Sequence, residues 1–354
     1  MASLTMPDIT ALLPWYLDNA RKLPWRETKD PYRIWVSEIM LQQTRVEAVI
    51  PYYHNFLDCC PDVAALAALP EATLLKLWEG LGYYSRVRNM QKAARVIMAE
   101  HGGVFPSDYG SIRALPGIGD YTAGAIASFA FDLPYPAVDG NVLRVSARLL
   151  GFGEDILAPA SKRALTAAVA AAQPPEHAAE FNQAMIELGA VVCLPNGAPR
   201  CEACPLREAC AARALGVERE LPRRRAPAPR RVEERTVLIL RSGERVAIRR
   251  RPAHGLLAGM FEPYSLSGKL DEARVRAHLA DFGISPLRIT PLGEGKHIFT
   301  HIEWHMVGFE VILHEKDAET VSKMDHCDLF FAPRYEIDKK YAVPTAYRTY
   351  RPYM

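Results

Sequence analysis

Along the first 220 residues, apolar side chains recur every three to four positions. PEATLLKLWEGLG (70–82), RNMQKAARVIMAEHGG (88–103), NVLRVSARLLGFG (141–153) and ALTAAVAAAQ (164–173) all carry this spacing, which predicts helices with one buried face. Several end in glycine, as helix C-termini often do. Beyond residue 235 the pattern changes. TVLILRSGERVAIRRR (236–251) reads as two strands around a Ser-Gly turn, and KHIFTHIEWHMVGFEVIL (296–313) is rich in β-branched and aromatic residues at strand spacing. DEARVRAHLADFG (271–283) reads as one amphipathic helix. Between the two regimes lies LPRRRAPAPRRVEER (221–235), with three prolines and six arginines. It predicts an extended, semi-rigid linker. The expected architecture is multidomain: an all-α domain over 1–220, the linker 221–235, and a smaller α+β domain over 236–354.

Composition supports this division. At 354 residues, 49% hydrophobic and 24% charged, the chain has the balance of a globular protein with two or three cores. No run of about 18 apolar residues suits a membrane span, and no secretory signal opens the chain. Seven cysteines, four of them in one short segment, point to a reducing compartment and a thiolate metal site rather than a disulfide framework. A cytoplasmic protein, nucleoid-associated if bacterial, is expected.

Charge must be split before it is used. Residues 1–220 hold 20 Lys+Arg against 24 Asp+Glu, a net of −4. Residues 221–235 hold six against two, and 236–354 hold 17 against 15, giving +4 and +2. Bulk charge therefore gives no support to nucleic-acid binding. The linker arginines suit a solvated spacer or a phosphate contact.

Two local motifs carry chemistry. Cys193, Cys201, Cys204 and Cys210 form C-x7-C-x2-C-x5-C, a loop over 193–210 that suits tetrahedral zinc or an iron–sulfur cluster. Cys59, Cys60 and Cys327 have no such company and read as ordinary thiols. LPGIGDYTAGAIASFAF (115–131) joins Gly117 and Gly119 to a helix of small residues. Glycines at this spacing let backbone N–H groups face an anion at a helix N-terminus. The alternative is a plain helix-turn-helix corner. The motif, about 110–130, reads as a helix-hairpin-helix.

Taken in order, LPWRETKDPYRIWVSEIMLQQT (23–44), WEGLGYYSR (78–86), LPGIGDYTAGA (115–125), VDGNV (138–142), FNQAMIELGA (181–190) and the four cysteines resemble the endonuclease III superfamily. Within it they resemble the adenine DNA glycosylases (the MutY family). RPAHGLLAGMFEP (251–263) and HIFTH (297–301) extend the resemblance, which spans nearly the whole chain. It implies an all-α helix-hairpin-helix glycosylase domain with a 4Fe–4S cluster loop and a C-terminal Nudix-like domain.

In the helical reading, Glu38 shares a face with Ile34 and Leu41. A carboxyl on an apolar stripe is desolvated and its pKa rises toward neutrality, as a general acid requires. The other reading is a surface glutamate. The resemblance implies that Glu38 protonates the adenine leaving group. Asp139 stands before a helix, where aspartate is also a common cap. There an ionised carboxylate could stabilise an oxocarbenium-like sugar, and the resemblance makes it the second catalytic carboxylate, supported by Asn141. Tyr121 stands where strand-cutting relatives place an amine nucleophile. A phenol forms no Schiff base, so a monofunctional enzyme is expected, with Tyr121 assisting Asp139.

A base inside the stack must be flipped out to react. By resemblance, Gln43 and Tyr83 wedge into the duplex with Leu81 beside them. Arg26 and Gln183 contact the extruded adenine, and Trp25 lines its pocket. In the C-terminal domain, 271–283 lacks the paired glutamates of a Nudix hydrolase, so a recognition module is expected. Phe299, Thr300 and His301 match the family's Phe-Ser-His loop for 8-oxoguanine, with threonine in place of serine. The first cysteine gap is seven residues where six is usual, and the Asn196-Gly197 turn can absorb the extra one. The expected partner is duplex DNA carrying A:8-oxoguanine or A:G, bound by a monomer. Competing readings are a thymine-mismatch or oxidised-pyrimidine glycosylase, and a damage sensor without chemistry.

Overall fold

The computed structural model describes residues 4–226, 228–322 and 329–354; Cys327 lies outside them. In chain order the helices are α1 (Leu12–Asn19), α2 (Pro31–Leu41), α3 (Val46–Cys59), α4 (Val63–Ala68), α5 (Glu71–Leu77), α6 (Ser85–Glu100), α7 (Tyr109–Ala114), α8 (Asp120–Phe131), α9 (Gly140–Leu149), α10 (Pro159–Ala172), α11 (Ala178–Val191) and α12 (Ala211–Ala214). Strands β1 (Arg231–Ser242), β2 (Arg245–Arg250) and β3 (Phe261–Ser267) follow, then α13 (Glu272–Ala280), β4 (Arg288–Ile298), β5 (Ile302–Ile312), α14 (Ala318–Ser322), β6 (Phe330–Pro333) and α15 (Arg334–Lys340).

The chain divides into two compact units. One holds Met1–Ala68 and Arg88–Pro227; the other holds Leu69–Val87 and Ala228–Met354. The short stretch 69–87 thus packs with the strands rather than with the helices that flank it in sequence.

In the helical unit, two aspartates start the elements that matter most. Asp30 caps α2, accepting from the backbone N–H of Tyr32 and Arg33, with Pro31 at the first helical position. Asp139 caps α9 in the same way through Asn141 and Val142. One core gathers Leu12, Val142, Val145, Phe181, Met185 and Leu188 from α1, α9 and α11. Helices α7 and α8 form the helix-hairpin-helix, and the turn between them needs glycine at 117. Its φ is +80°, and a Cβ there would stand 2.6 Å from the Asn89 Cβ.

The segment 70–82 is less helical than its spacing predicts. Helix α5 ends at Leu77, and Gly80, Gly82 and Tyr83 all take positive φ. These residues turn the chain away before α6.

The second unit is built on one mixed six-stranded sheet of order β4-β5-β1-β3-β2-β6. β1 runs parallel to β5 and antiparallel to β3. Strand β1 begins at Arg231, within the Arg/Pro-rich segment, because Arg231–Arg241 pair residue for residue with Ile302–Ile312. Its run Val237–Leu240 is apolar without a break because the sheet is covered on both faces. Leu238 and Leu240 pack toward Val275 and Leu279 of α13. Val237 and Ile239 pack toward Trp304, Tyr347 and Tyr350, as the two-residue period of a strand requires. β4 and β5 form a hairpin whose tip is Phe299–His301, closed by the Phe299 N–H on the Ile302 carbonyl at 2.8 Å.

No helix among the described residues is long and apolar enough to cross a membrane.

Candidate active site

A cavity of about 800 Å³ opens in the helical unit between α2, α8, α9 and α11, and Glu38, Tyr121, Asp139 and Asn141 line it. Glu38 projects from the buried face of α2 and is only 5% exposed. Burial raises its carboxyl to about 7. A hydrogen bond from the Tyr121 hydroxyl to Glu38 Oε2, 2.7 Å long, opposes the rise, and the charge of Asp139 adds to it. The phenol therefore bonds to Glu38, although Asp139 lies near enough for its charge to hold the phenol protonated. A carboxyl near neutrality can give up a proton at physiological pH and take it back.

Asp139 is held differently. Oδ1 accepts from the backbone N–H of Asn141 and of Val142, each at 2.8 Å, and Oδ2 accepts from Asn141 Nδ2 at 2.7 Å. Burial raises this carboxyl too, but those three donors pull against it. Asn141 is held in turn: its Oδ1 accepts from Arg144 Nη2 at 2.7 Å, and Arg144 also donates to the Gly189 carbonyl and, through Nε, to the Cys193 carbonyl, both at 2.8 Å. A Cβ at Gly189 would stand 2.6 Å from the Asn141 Cβ, so glycine there lets α11 press against the start of α9.

Two residues of the cavity lining, Arg21 and Arg26, are held by a second charged group. Glu187, on α11, is fully buried and accepts from Arg21 Nε at 2.7 Å and Arg26 Nη2 at 2.8 Å. Burial alone would raise the carboxyl; the two guanidiniums overcome it and hold it at about 2. Arg26 is thereby fixed at the cavity wall, beside the half-buried Gln183. The Tyr16 hydroxyl donates to Gln183 Oε1, and Gln183 lines the cavity. Trp25 lines the same cavity, edge-on to Tyr53 at 5.4 Å. Gln43, also at the cavity, has a φ of +60°, unusual for a side-chain-bearing residue.

The remaining residues singled out in the sequence belong elsewhere. Leu81 and Tyr83 lie in the second unit with Phe299, Thr300 and His301. There the Tyr83 hydroxyl and Thr300 Oγ1 are 3.2 Å apart, a hydrogen bond between segments 217 residues apart in sequence. Gly119 caps α8 with extended backbone, two residues before Tyr121. Among the described residues no three His, Cys, Asp or Glu side chains form a ready-made metal site. Cys193, Cys201, Cys204 and Cys210 nevertheless line one small cavity, and none is in a disulfide. Arg148 Nη1 donates to Cys193 Sγ at 3.2 Å. Four cysteines lining one void, with a cation on the sulfur of one of them, are the residue type that a thiolate-held iron–sulfur group needs.

Sequence reasoning missed Arg21, Tyr16, Glu187 and Arg144. For Glu187 a signal existed: it lies four residues after Gln183 on α11, hence on the same face. Arg144 likewise follows Asn141 by three.

Residues 36–170 match the family model described as HhH-GPD superfamily base excision DNA repair protein, and 235–351 match that of a NUDIX domain. The adenine DNA glycosylase of Mus musculus is 33% identical over 88% of this chain and 73% of its own length. That of Buchnera aphidicola subsp. Baizongia pistaciae is 44% identical over 200 residues, 56% of either chain; the match therefore spans about half of that relative. Among solved structures, a thermostable thymine-DNA glycosylase superposes with a TM-score of 0.52 at 26% identity, over 58% of this chain and 94% of its own. An endonuclease III in a non-covalent DNA complex superposes at 0.50 with 24% identity, over 58% and 94%, a likeness of fold.

Proposed function

The chain belongs to the adenine DNA glycosylase family, and from that premise we propose that it hydrolyses the N-glycosidic bond of adenine paired with 8-oxoguanine or guanine in duplex DNA. The observation that carries this reading is the pair of carboxyl groups that line one cavity under different hydrogen-bond restraints. Glu38 sits near 7 under a single phenol bond, and Asp139 is fixed by three donors.

In this reading the adenine is turned out of the stack into the 800 Å³ cavity. Glu38, protonated, gives its proton to the departing base as the C1′–N bond breaks. The sugar becomes oxocarbenium-like, and the Asp139 carboxylate stabilises or traps it until water adds at C1′. Asn141 keeps Asp139 aimed. Arg26 and Gln183 offer N–H donors to the base edge, and Trp25 offers an aromatic wall. Tyr121 supplies no amine, so the product is an abasic site in an unbroken strand. Gln43 and Tyr83 act as wedges into the duplex, each from its own unit, with Leu81 next to Tyr83 in sequence but for one glycine. Phe299, Thr300 and His301 read the opposite 8-oxoguanine, and the hairpin at Gly117 and Gly119 holds a backbone phosphate. Cys193, Cys201, Cys204 and Cys210 would hold one 4Fe–4S cluster. When bound, it ties the loop 193–210 together and provides a one-electron centre. The protein acts as a monomer.

One gel tests the reading. Duplexes with A:8-oxoG, A:G, T:G and thymine glycol are incubated with the protein, with and without hot alkali. Cleavage of the A:8-oxoG and A:G strands after alkali alone is expected. Release of thymine or thymine glycol in preference to adenine would overturn it, as would strand breaks without alkali.

A further inference from the structure

We propose that Arg86 is a positioning residue for telling 8-oxoguanine from guanine, acting through the turn at 81–83 and the Tyr83–Thr300 hydroxyl pair. The inference rests on the reading above that Tyr83 and Thr300 meet the damaged pair.

Tyr83 has a φ of +47° and is 48% exposed. A bulky side chain in that backbone region is strained unless its surroundings hold it there. With about half of the residue exposed, packing of the ring alone does not supply that hold. The hold comes from below. Arg86 Nη2 donates to the Leu81 carbonyl at 2.9 Å and the Gly82 carbonyl at 3.1 Å. Trp78 Nε1 donates to the same Gly82 carbonyl at 3.0 Å, and the Arg86 backbone N–H closes the turn on the Tyr83 carbonyl at 2.9 Å. The guanidinium carbon lies 5.3 Å from the Trp78 ring centroid and 5.7 Å from that of Tyr83. One planar cation thus holds two consecutive carbonyls of the turn and lies against the rings on either side of it. Burial lowers its pKa to about 10, which leaves it charged at neutral pH.

The consequence reaches Thr300. Its hydroxyl is bonded to the Tyr83 hydroxyl at 3.2 Å, so the height and tilt of the Tyr83 ring set where that hydroxyl stands. 8-Oxoguanine differs from guanine in one oxygen and the N7 proton. A hydroxyl can report so small a difference only if it is well placed, since hydrogen bonds weaken steeply off their geometry. Both carbonyl bonds come from one nitrogen, Nη2, so what a lysine at 86 loses is the planar guanidinium whose carbon lies over the Trp78 and Tyr83 rings while that nitrogen makes them. The turn would keep its glycines and lose its clamp.

The test is single-turnover excision by the full chain on A:8-oxoG and A:G duplexes, for wild type, Arg86→Lys, Thr300→Ala and the double variant, with thermal melts confirming the fold. Arg86→Lys is expected to narrow the A:8-oxoG to A:G rate ratio by about two- to tenfold, the worth of one hydrogen bond. In the Thr300→Ala background it should change the ratio by less than about twofold, because coupled residues do not add. An unchanged ratio in Arg86→Lys, or an equal loss in both backgrounds, overturns the proposal. Should Arg86→Lys not fold, Tyr83→Phe removes only the linking hydroxyl. It must show the same narrowing and the same lack of additivity, and an unchanged ratio there overturns the proposal as well. Wild type acting equally on both duplexes overturns the reading of the recognition hairpin, and this inference with it. A wild-type preference that survives Arg86→Lys overturns the inference alone.

Discussion

The Tyr121 hydroxyl donates to Glu38 Oε2 at 2.7 Å, and this bond is what restrains the rise that burial imposes on Glu38. A donor to the ionised form lowers a carboxyl's pKa. The phenol therefore trims the general acid toward neutrality rather than leaving it protonated over the whole physiological range.

Excision should accordingly fall as pH rises through about 7, where Glu38 gives up its proton. Tyr121→Phe removes the restraint, so Glu38 should stay protonated longer. The falling limb of the single-turnover profile is expected to move up by about one to two pH units, from the worth of a hydrogen bond to a charged group. Glu38→Gln should cost about 10²–10⁴-fold in rate and remove the limb. A limb that stays in place in Tyr121→Phe would show that the bond does not tune the acid.

Asp139→Asn should separate catalysis from capping. Asparagine caps a helix about as well as aspartate, so α9 and the melting temperature should change little. The negative charge is lost, and with it nearly all excision. Binding to A:8-oxoG duplex, read by gel shift, should persist. Excision within a few-fold of wild type would remove Asp139 from the mechanism.

Glu187 makes a pH prediction of the opposite sign, in stability. Its carboxyl ordinarily titrates near 4.5 and is held at about 2 in the fold. The stability it contributes is complete above 4.5 and is lost as pH falls toward 2. Glu187→Gln should lower stability at pH 7 by about 1.5–3 kcal/mol, the worth of a hydrogen bond to a charged group, and flatten the melting-temperature decline between pH 4.5 and 2. A parallel decline in wild type and variant would place the acid sensitivity elsewhere.

Much of this was legible locally. Asp30 before Pro31 and Asp139 before Gly140 mark helix starts, and both aspartates cap. The unbroken apolar run in β1 signals a strand covered on both sides, and Ser242-Gly243 marks the turn into β2. What stayed hidden depends on distant partners. That residues 69–87 pack with 228–354 follows from no local spacing. Nor does the bond from Tyr83 to Thr300. The shortening of α5 lies between the two: Gly80 and Gly82 were visible, but the apolar spacing through Leu81 masked them.

The four cysteines predict a composition. Purified protein should carry about four irons per chain if they hold a cubane cluster. Cys201→Ala should lose the iron and weaken DNA binding before it slows chemistry on bound substrate, since Glu38 and Asp139 lie on other elements. One zinc and no iron would replace the cluster with a zinc site.

Arg144 makes the last prediction, because it links the start of α9 to the beginning of the cysteine loop. It lies buried on α9, with its guanidinium on Asn141 Oδ1 and on the carbonyls of Gly189 and Cys193. Burial lowers its pKa. Lysine has one nitrogen with three donors where Arg144 uses three nitrogens to reach four acceptors, the Gly140 carbonyl included, so Arg144→Lys must abandon at least one. An abandoned buried acceptor costs about 1–3 kcal/mol. If Asn141 is abandoned, its Nδ2 donor to Asp139 is no longer fixed, and Asp139 is free to turn from the sugar. The expected signature is a fall in single-turnover rate with little change in the Kd for A:8-oxoG duplex, together with a lower melting temperature. Asn141→Ala should reproduce the loss of rate without disturbing the Cys193 carbonyl. The two substitutions together should then cost little more in rate than either alone. Additive rate losses would mean that Arg144 serves the cluster loop alone and has no part in holding Asp139.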